Sequence, residues 1–225
     1  MPANRARTPA GDGPFLWTPS GLTFDDGPHP QRTARLMDVL ALSGVRATFF
    51  WLGSRLVGNR KLVQRAVAEG HELGNHSWSH ASFAQLSESQ LERELRSTDS
   101  LIADITGVRP RYVRPPFGII SVEQRAFARE RFGYEVVLWN VDTSDWRRPG
   151  VDRIAETICA AAGSRQLILL HDLYDDTVNA VELALSRVNA PAWLFDSVTR
   201  VRDASDSGAH GQEHGGNVRR DGIRS

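Results

Sequence analysis

Five short polar clusters, each directly following an apolar run, carry the residue types that do chemistry. The first is Leu22-Thr23-Phe24-Asp25-Asp26-Gly27-Pro28. Neighbouring side chains of a regular strand point to opposite faces, so Asp25 and Asp26 diverge unless the backbone turns. Gly27-Pro28 supplies a turn. Two carboxylates brought together repel unless a cation or a proton intervenes. A plain turn opened by aspartates is the alternative, and this cluster alone slightly favours it. The second cluster is His71-Glu72-Leu73-Gly74-Asn75-His76-Ser77-Trp78-Ser79-His80. His76 and His80 are four apart, so on a helical turn both imidazoles share one face, a natural chelating pair for zinc. A chance pair at that spacing stays open as the alternative. His71 has the spacing of a strand residue and is assigned a structural role.

The third cluster is Arg114-Pro115-Pro116-Phe117-Gly118. Its two prolines stiffen the backbone and remove two N–H donors, leaving the Phe117 N–H preset beside Gly118. Such a donor can serve as half of an oxyanion site, although a rigid loop accounts better for this cluster taken alone. The fourth is Trp139-Asn140-Val141-Asp142-Thr143-Ser144-Asp145-Trp146. Carboxylates beside tryptophans point to sugar contact, because a flat indole stacks on the C–H face of a pyranose. Trp139 continues an apolar strand and is expected in the core. The alternative for Asp142 or Asp145 is capping of the next loop. The fifth is Leu167-Ile168-Leu169-Leu170-His171-Asp172, in which His171 ends a buried strand. It is a general acid, a ligand or a cap, and nearby carboxylates would favour its protonated form.

Alternating elements must position these clusters. Helical spacing of apolar residues runs from Thr33 to Ser43 and stops at Gly44. Val45 to Leu52 is a β-type run, Asn59 opens a helix ending at Gly70, and His71 to Asn75 is a short strand. Leu91, Leu95, Thr98, Ile102 and Ile105 mark one face of a long helix, with a capping box at Ser87 and Gln90 and a stop at Gly107. Arg111 to Arg114 is extended. Ser121 and Gln124 repeat the capping box before a helix that stops at Gly133. Tyr134 to Val141 and Gln166 to Leu170 read as strands, Val151 to Ala162 and Thr177 to Val188 as helices, and Trp193 to Val198 as a last strand. Repeated βα units imply parallel strands, as an open sheet or a barrel, with chemistry at the strands' carboxyl ends.

The 225 residues fit one sizeable domain. Lys+Arg and Asp+Glu balance at 27 each, which excludes a global pull toward nucleic acid or anionic lipid. Cys159 is the sole cysteine, which excludes an intramolecular disulfide and a Cys-rich zinc module; its apolar helical setting predicts an inert thiol. No apolar run reaches the roughly 18 residues of a membrane span. Arg5 and Arg7 are followed by no apolar stretch, so no secretory signal is expected and the cytoplasm is the default location, with export left open. Residues 1–18 are expected to be a flexible lead-in, 19–202 the one structured domain, and 203–225 a disordered tail whose His210 and His214 are solvated.

Each cluster is weak alone, but all five in this order are not. The chain resembles the NodB-type polysaccharide deacetylases, carbohydrate esterase family four, which show T-F-D-D-G-P, H-S/T-x-x-H, R-P-P-Y/F-G, D-x-x-D-W and L-x-H segments in the same order. The similarity runs from about Leu22 to about Val198 and includes Ala47-Thr48-Phe49-Phe50 and Gly70-His71-Glu72. The resemblance implies a distorted (β/α) barrel with fewer than eight full repeats. It implies a metal-dependent hydrolase that deacetylates N-acetylglucosamine units of a polysaccharide or oligosaccharide, such as chitin oligomers or peptidoglycan. It further implies Asp25 as general base, and Asp26, His76 and His80 as ligands of one divalent metal, zinc first, with cobalt or another transition metal as alternatives. By the same resemblance the Phe117 N–H stabilises the oxyanion, His171 protonates the leaving amine, and Arg114 positions the base. Asp145 supports the acid histidine, Trp146 walls the sugar groove, and Leu169 lines the acetyl pocket. The competing functions are an O-acetyl (xylan-type) esterase, an amidohydrolase of a small acetylated metabolite, and a carbohydrate-binding protein without catalysis. Leu173-Tyr174-Asp175-Asp176 departs from the Gly that many members carry there, Phe117 stands where many have Tyr, and the chain is altered around Ala190-Pro191-Ala192-Trp193.

Overall fold

The β-type runs assemble into one parallel sheet with helices packed outside it; the computed structural model describes residues 18–188 and 194–209. The strands are β1 (Gly21–Asp25), β2 (Thr48–Trp51), β3 (Glu72–Asn75), β4 (Tyr112–Val113), β5 (Glu135–Val136), β6 (Val141–Asp142) and β7 (Leu167–His171), ordered β5-β4-β3-β2-β1-β7-β6. The helices are α1 (Arg32–Leu42), α2 (Gly53–Leu56), α3 (Arg60–Ala68), α4 (Glu88–Thr106), α5 (Val122–Phe132), α6 (Val151–Ala160), α7 (Asp175–Arg187) and α8 (Val198–Ala209).

β5 and β6 lie at opposite ends of the strand order, yet only residues 137–140 separate them. In an open sheet of this size the edges would stand about 29 Å apart, whereas this link reaches at most about 17 Å. The sheet therefore curls. The Val137 N–H donates to the Val113 carbonyl (2.9 Å), and the Asn140 N–H donates to the Leu167 carbonyl (3.0 Å). The single strand expected from Tyr134 to Val141 is instead broken into β5 and β6, and the non-strand link at 137–140 joins the two edges and closes a distorted barrel, as the resemblance implied.

Side-chain alternation divides the barrel into two environments. Leu22, Phe24, Phe49, Trp51, Ile168 and Leu170 face outward and pack against Leu36, Leu40, Ile154, Ile158 and Val181 of the helices. Phe50, Tyr112 and Val137 form a separate buried cluster with Val198 at the start of α8. Gly74 admits the Phe50 ring, which a Cβ there would overlap. The Val198 N–H donates to Thr48 Oγ1 (2.9 Å), and the Thr199 hydroxyl donates to Glu72 Oε1 (2.5 Å). α8 thereby stoppers the amino ends of the strands and leaves the carboxyl ends as the open mouth.

Both capping boxes form as expected, and α4 and α5 end on left-handed Gly107 and Gly133. The C-terminal segment differs from expectation. Phe195 makes only an isolated bridge to Ser20, and Val198 begins a helix rather than ending a strand. Residues 203–209, assigned to the tail, continue α8, because buried Val198 and Val201 anchor its first turns. The lead-in up to 17, the altered stretch at 189–193, and the tail from 210 with His210 and His214 lie outside the described residues. Among the described residues no helix is long and apolar enough to cross a membrane.

Candidate active site

β1 delivers Asp25 to the mouth, fully buried, and the next residue then reverses direction. Asp26 adopts a left-handed backbone (φ 71°), so both carboxylates reach one cavity in spite of strand alternation. The Asp26 N–H donates to the Phe50 carbonyl (3.2 Å), and the Gly27 carbonyl accepts from the Leu52 N–H (3.0 Å), locking the turn to β2.

His76 and His80 do meet, with ring centroids 5.2 Å apart, but not on a helix. They sit in an irregular loop after β3 in which Ser77 (φ 69°) and His80 (φ 66°) are left-handed. Asn75 Oδ1 accepts from the Ser77 N–H (2.8 Å), while Glu94 of α4 accepts from the Trp78 and Ser79 N–H groups (2.8 Å each). The helical premise is corrected: tertiary hydrogen bonds fold the loop back, and the four-residue spacing is incidental.

These residues suit a divalent metal. Asp26 Oδ1 faces His76 Nε2 at 3.3 Å and His80 Nε2 at 3.2 Å, close to the roughly 3.3–3.5 Å between tetrahedral zinc ligands. His76 Nδ1 lies 2.7 Å from the Arg114 carbonyl, which can only accept, so the ring proton belongs on Nδ1 and Nε2 presents a lone pair. Asp26 Oδ1 is buried without a hydrogen-bond partner. A lone pair and a carboxylate oxygen facing each other without a proton is an arrangement a cation satisfies. His71 is apart from this group. It is a buried core residue accepting from the Ala47 N–H (3.2 Å), as its strand spacing predicted.

Arg114, at the end of β4, is fully buried in the barrel. It donates to Asp25 Oδ1 (2.8 Å), Thr23 Oγ1 (2.8 Å) and the Val137 and Leu138 carbonyls (3.2 and 3.1 Å), with its guanidinium 4.1 Å from the centre of the Phe50 ring. Its contacts reach from β1 and β2 across the barrel interior to the closing link at Val137 and Leu138, so Asp25 is aimed by the fold itself. Opposite, His171 pairs in register with Asp25 across β7 and β1. Its Nδ1 lies 2.7 Å from Asp145 Oδ1, and its own N–H donates to Asp145 Oδ2 (2.7 Å). Asp145 is completely buried and also accepts from the Thr177 hydroxyl (2.7 Å). Burial opposes a charge on His171, but the Asp145 carboxylate outweighs it, and with Asp25 and Asp26 adding to the effect the pKa is pushed up to about 9.

Pro115 and Pro116 lead into Phe117, whose left-handed backbone (φ 60°) is strained for an aromatic residue. No acceptor engages the Phe117 N–H among the described residues. Its ring is 63% exposed and packs edge-on against His80 (4.7 Å) at the rim. These groups surround a cavity of about 410 Å³ whose other walls are Trp139, Asp142, Trp146, Leu169 and Tyr174. Two larger clefts, of about 490 and 570 Å³, hold no such histidine–aspartate group.

All ten predicted site residues thus lie in or directly against one mouth. Trp139 corrects its assignment to the core: it is half-buried, lines the cavity, and lies against Gly118, where a Cβ would come within 2.9 Å of its ring. Tyr174, in the loop that departs from the family pattern, also lines the cavity, although no role was assigned to it. Asn75 and Glu94, which shape the histidine loop, carried no sequence signal.

A profile of the polysaccharide deacetylase family matches residues 18–137. The chain is 32% identical over 180 residues to the peptidoglycan-N-acetylglucosamine deacetylase PgdA of Listeria monocytogenes, covering 80% of this chain and 38% of that protein. It therefore spans well under half the length of that relative. It is 38% identical over 154 residues to a chitooligosaccharide deacetylase of Bradyrhizobium, covering 68% of this chain and 70% of that one. Among solved structures, the peptidoglycan deacetylase PdaC from Bacillus subtilis superposes with a TM-score of 0.79 at 33% identity, over 86% of this chain and 94% of that one. With a family profile over more than half of its length and solved relatives that superpose along most of it, the chain belongs to the polysaccharide deacetylase family.

Proposed function

We propose that this protein is a metal-dependent deacetylase of N-acetylated amino-sugar glycans, releasing acetate and leaving a free amine. The observation that carries the reading is the convergence on one cavity of the Asp26–His76–His80 group, with Asp25 on one side and a protonated His171 facing it. A divalent ion held by Asp26, His76 and His80, zinc by its fit to the two imidazoles and one carboxylate, would supply Lewis acidity to a water and to the acetyl carbonyl. Asp25, held by Arg114, takes a proton from the attacking water. The Phe117 N–H faces the oxyanion that develops as the carbonyl carbon becomes tetrahedral. His171, oriented by Asp145, passes its proton to the nitrogen as the C–N bond breaks. Trp146 and Trp139 offer flat faces to the pyranose, and Leu169 closes the space for the acetyl methyl.

The relatives named for peptidoglycan and for chitooligosaccharides support an N-acetylglucosamine polymer or oligomer as substrate. A His171 that carries its proton at neutral pH favours an amide over an acetyl ester, because a departing amine cannot leave without being protonated. The test is acetate release from chitin oligomers, peptidoglycan and acetylxylan, before and after chelation and after zinc is restored. Failure to release acetate from any of them in a zinc-dependent way sinks the proposal. Faster release from acetylxylan than from the amides replaces it with the esterase reading.

A further inference from the structure

Asp172 follows His171 but takes no part in the chemistry above. It begins the turn that leaves β7, and its side chain enters the layer between sheet and helices, where it is completely buried. Its Oδ2 accepts from the Thr33 hydroxyl of α1 (2.5 Å) and from the Trp51 indole N–H at the end of β2 (3.0 Å). Thr33 Oγ1 in turn accepts from the His29 N–H (2.8 Å), so the chain of bonds reaches back into the loop that leaves β1. The other oxygen, Oδ1, has no hydrogen-bond partner among the described residues and lies against Gly27, where a Cβ would overlap the carboxyl group. Gly27 directly follows Asp26 and does not have a positive φ, so it is the space, not the conformation, that requires glycine there.

A carboxyl buried with two donors and one bare oxygen is a poor source of stability, because desolvation costs more than two hydrogen bonds return. Its placement makes sense as a wedge. Asp26 must hold an unfavourable left-handed backbone while aiming Oδ1 at both imidazoles. The Asp172 carboxyl fills the space beneath the next residue and ties α1 and β2 to it.

We propose that Asp172 is a positioning residue for the metal-binding carboxylate, fixing the Asp26 turn by wedging beneath Gly27 and bridging Thr33 to Trp51. The inference rests on the metal reading of Asp26, His76 and His80. It is tested by calorimetric titration of zinc into the chelator-stripped full chain, with thermal melts of each variant alongside. Wild type should bind one zinc, and Asp26→Ala should abolish binding. Asp172→Ala should weaken zinc affinity by roughly 10- to 100-fold, the usual effect of removing a group that orients a ligand. Asp172→Asn, which keeps the shape and an acceptor for Thr33 and Trp51, should stay close to wild type. Gly27→Ala should weaken affinity on its own, and the double variant Gly27→Ala/Asp172→Ala should recover part of the loss, since the new methyl enters the vacated space. Should Asp172→Ala not fold, the Gly27→Ala and double variants carry the test. A lowered melting temperature with wild-type zinc affinity, or strictly additive losses in the double variant, overturns the inference and leaves the metal reading intact. Absence of zinc binding by wild type overturns both.

Discussion

At the scale of single residues, Asp25 and His171 occupy one register pair of β1 and β7 but are held by partners of opposite charge. Asp25 takes an arginine hydrogen bond, and His171 takes a carboxylate. Replacing Asp25 with alanine would strand Arg114 as an unpaired buried charge, so asparagine is the cleaner probe. Asp25→Asn can still accept from Arg114 but cannot hold a proton, and turnover should fall by about 10²- to 10⁴-fold with zinc affinity unchanged. Acetate-release kinetics beside a zinc titration would show it. His171 must be protonated to act, so kcat/KM should decline as pH rises through about 9. Asp145→Asn removes the charge that raises this pKa, and the alkaline limb should move to lower pH by roughly one to three pH units. A limb that stays in place would exclude His171 as the acid. These residues were legible because each cluster holds the right types at a strand end. Their roles came from the family order, not from spacing.

The elements were legible wherever the signal is local. Ser87 with Gln90 and Ser121 with Gln124 announce helix starts because both halves of a capping box lie within one turn. What spans the sequence was hidden. Nothing in residues 134–141 shows that one passage serves two sheet edges, since that follows from closure and not from periodicity. Trp139 looked like core because its strand is apolar, yet in a barrel the inward face is core at one end and pocket at the other. The histidine loop needed Asn75 and Glu94, which no motif marks. The Pro115–Gly118 turn tests whether such an element acts through its backbone. Gly118 is left-handed (φ 70°), and its missing Cβ makes room for Trp139. Gly118→Ala should therefore shift the Phe117 N–H and lower kcat, approaching the roughly 10²- to 10³-fold loss of an oxyanion donor. Zinc affinity should not change, and a kcat equal to wild type would remove the Phe117 amide from the mechanism.

At the scale of the molecule, the barrel is stoppered by α8 at one end and opens to the cavity at the other, so global stability and the site share one interior. α8 runs on past Arg202 to Ala209, into residues whose Gly- and charge-rich composition shows no helix of its own, because Val198 and Val201 seat its first turns. One buried group makes the stability of this whole depend on pH. His71 packs edge-on to Phe49 (5.3 Å) between α3 and the sheet, and its Nδ1 accepts from the Ala47 N–H, a bond that only the neutral ring can make. Burial pushes its pKa down to about 4 from the ordinary 6.5. The folded value lies below the unfolded one, so this contribution is fully present above pH 6.5 and is lost as pH falls toward 4. Each pH unit of that interval is worth about 1.4 kcal/mol, so on the order of 3 kcal/mol disappears across it. Urea unfolding at pH 7 and pH 4.5 should show wild type losing more stability than His71→Leu, by about 2–3 kcal/mol, although the variant starts lower for want of the Ala47 acceptor. Equal losses in the two proteins would mean that His71 is already charged in the folded state, and that the Ala47 bond is not holding the start of β2 against the core.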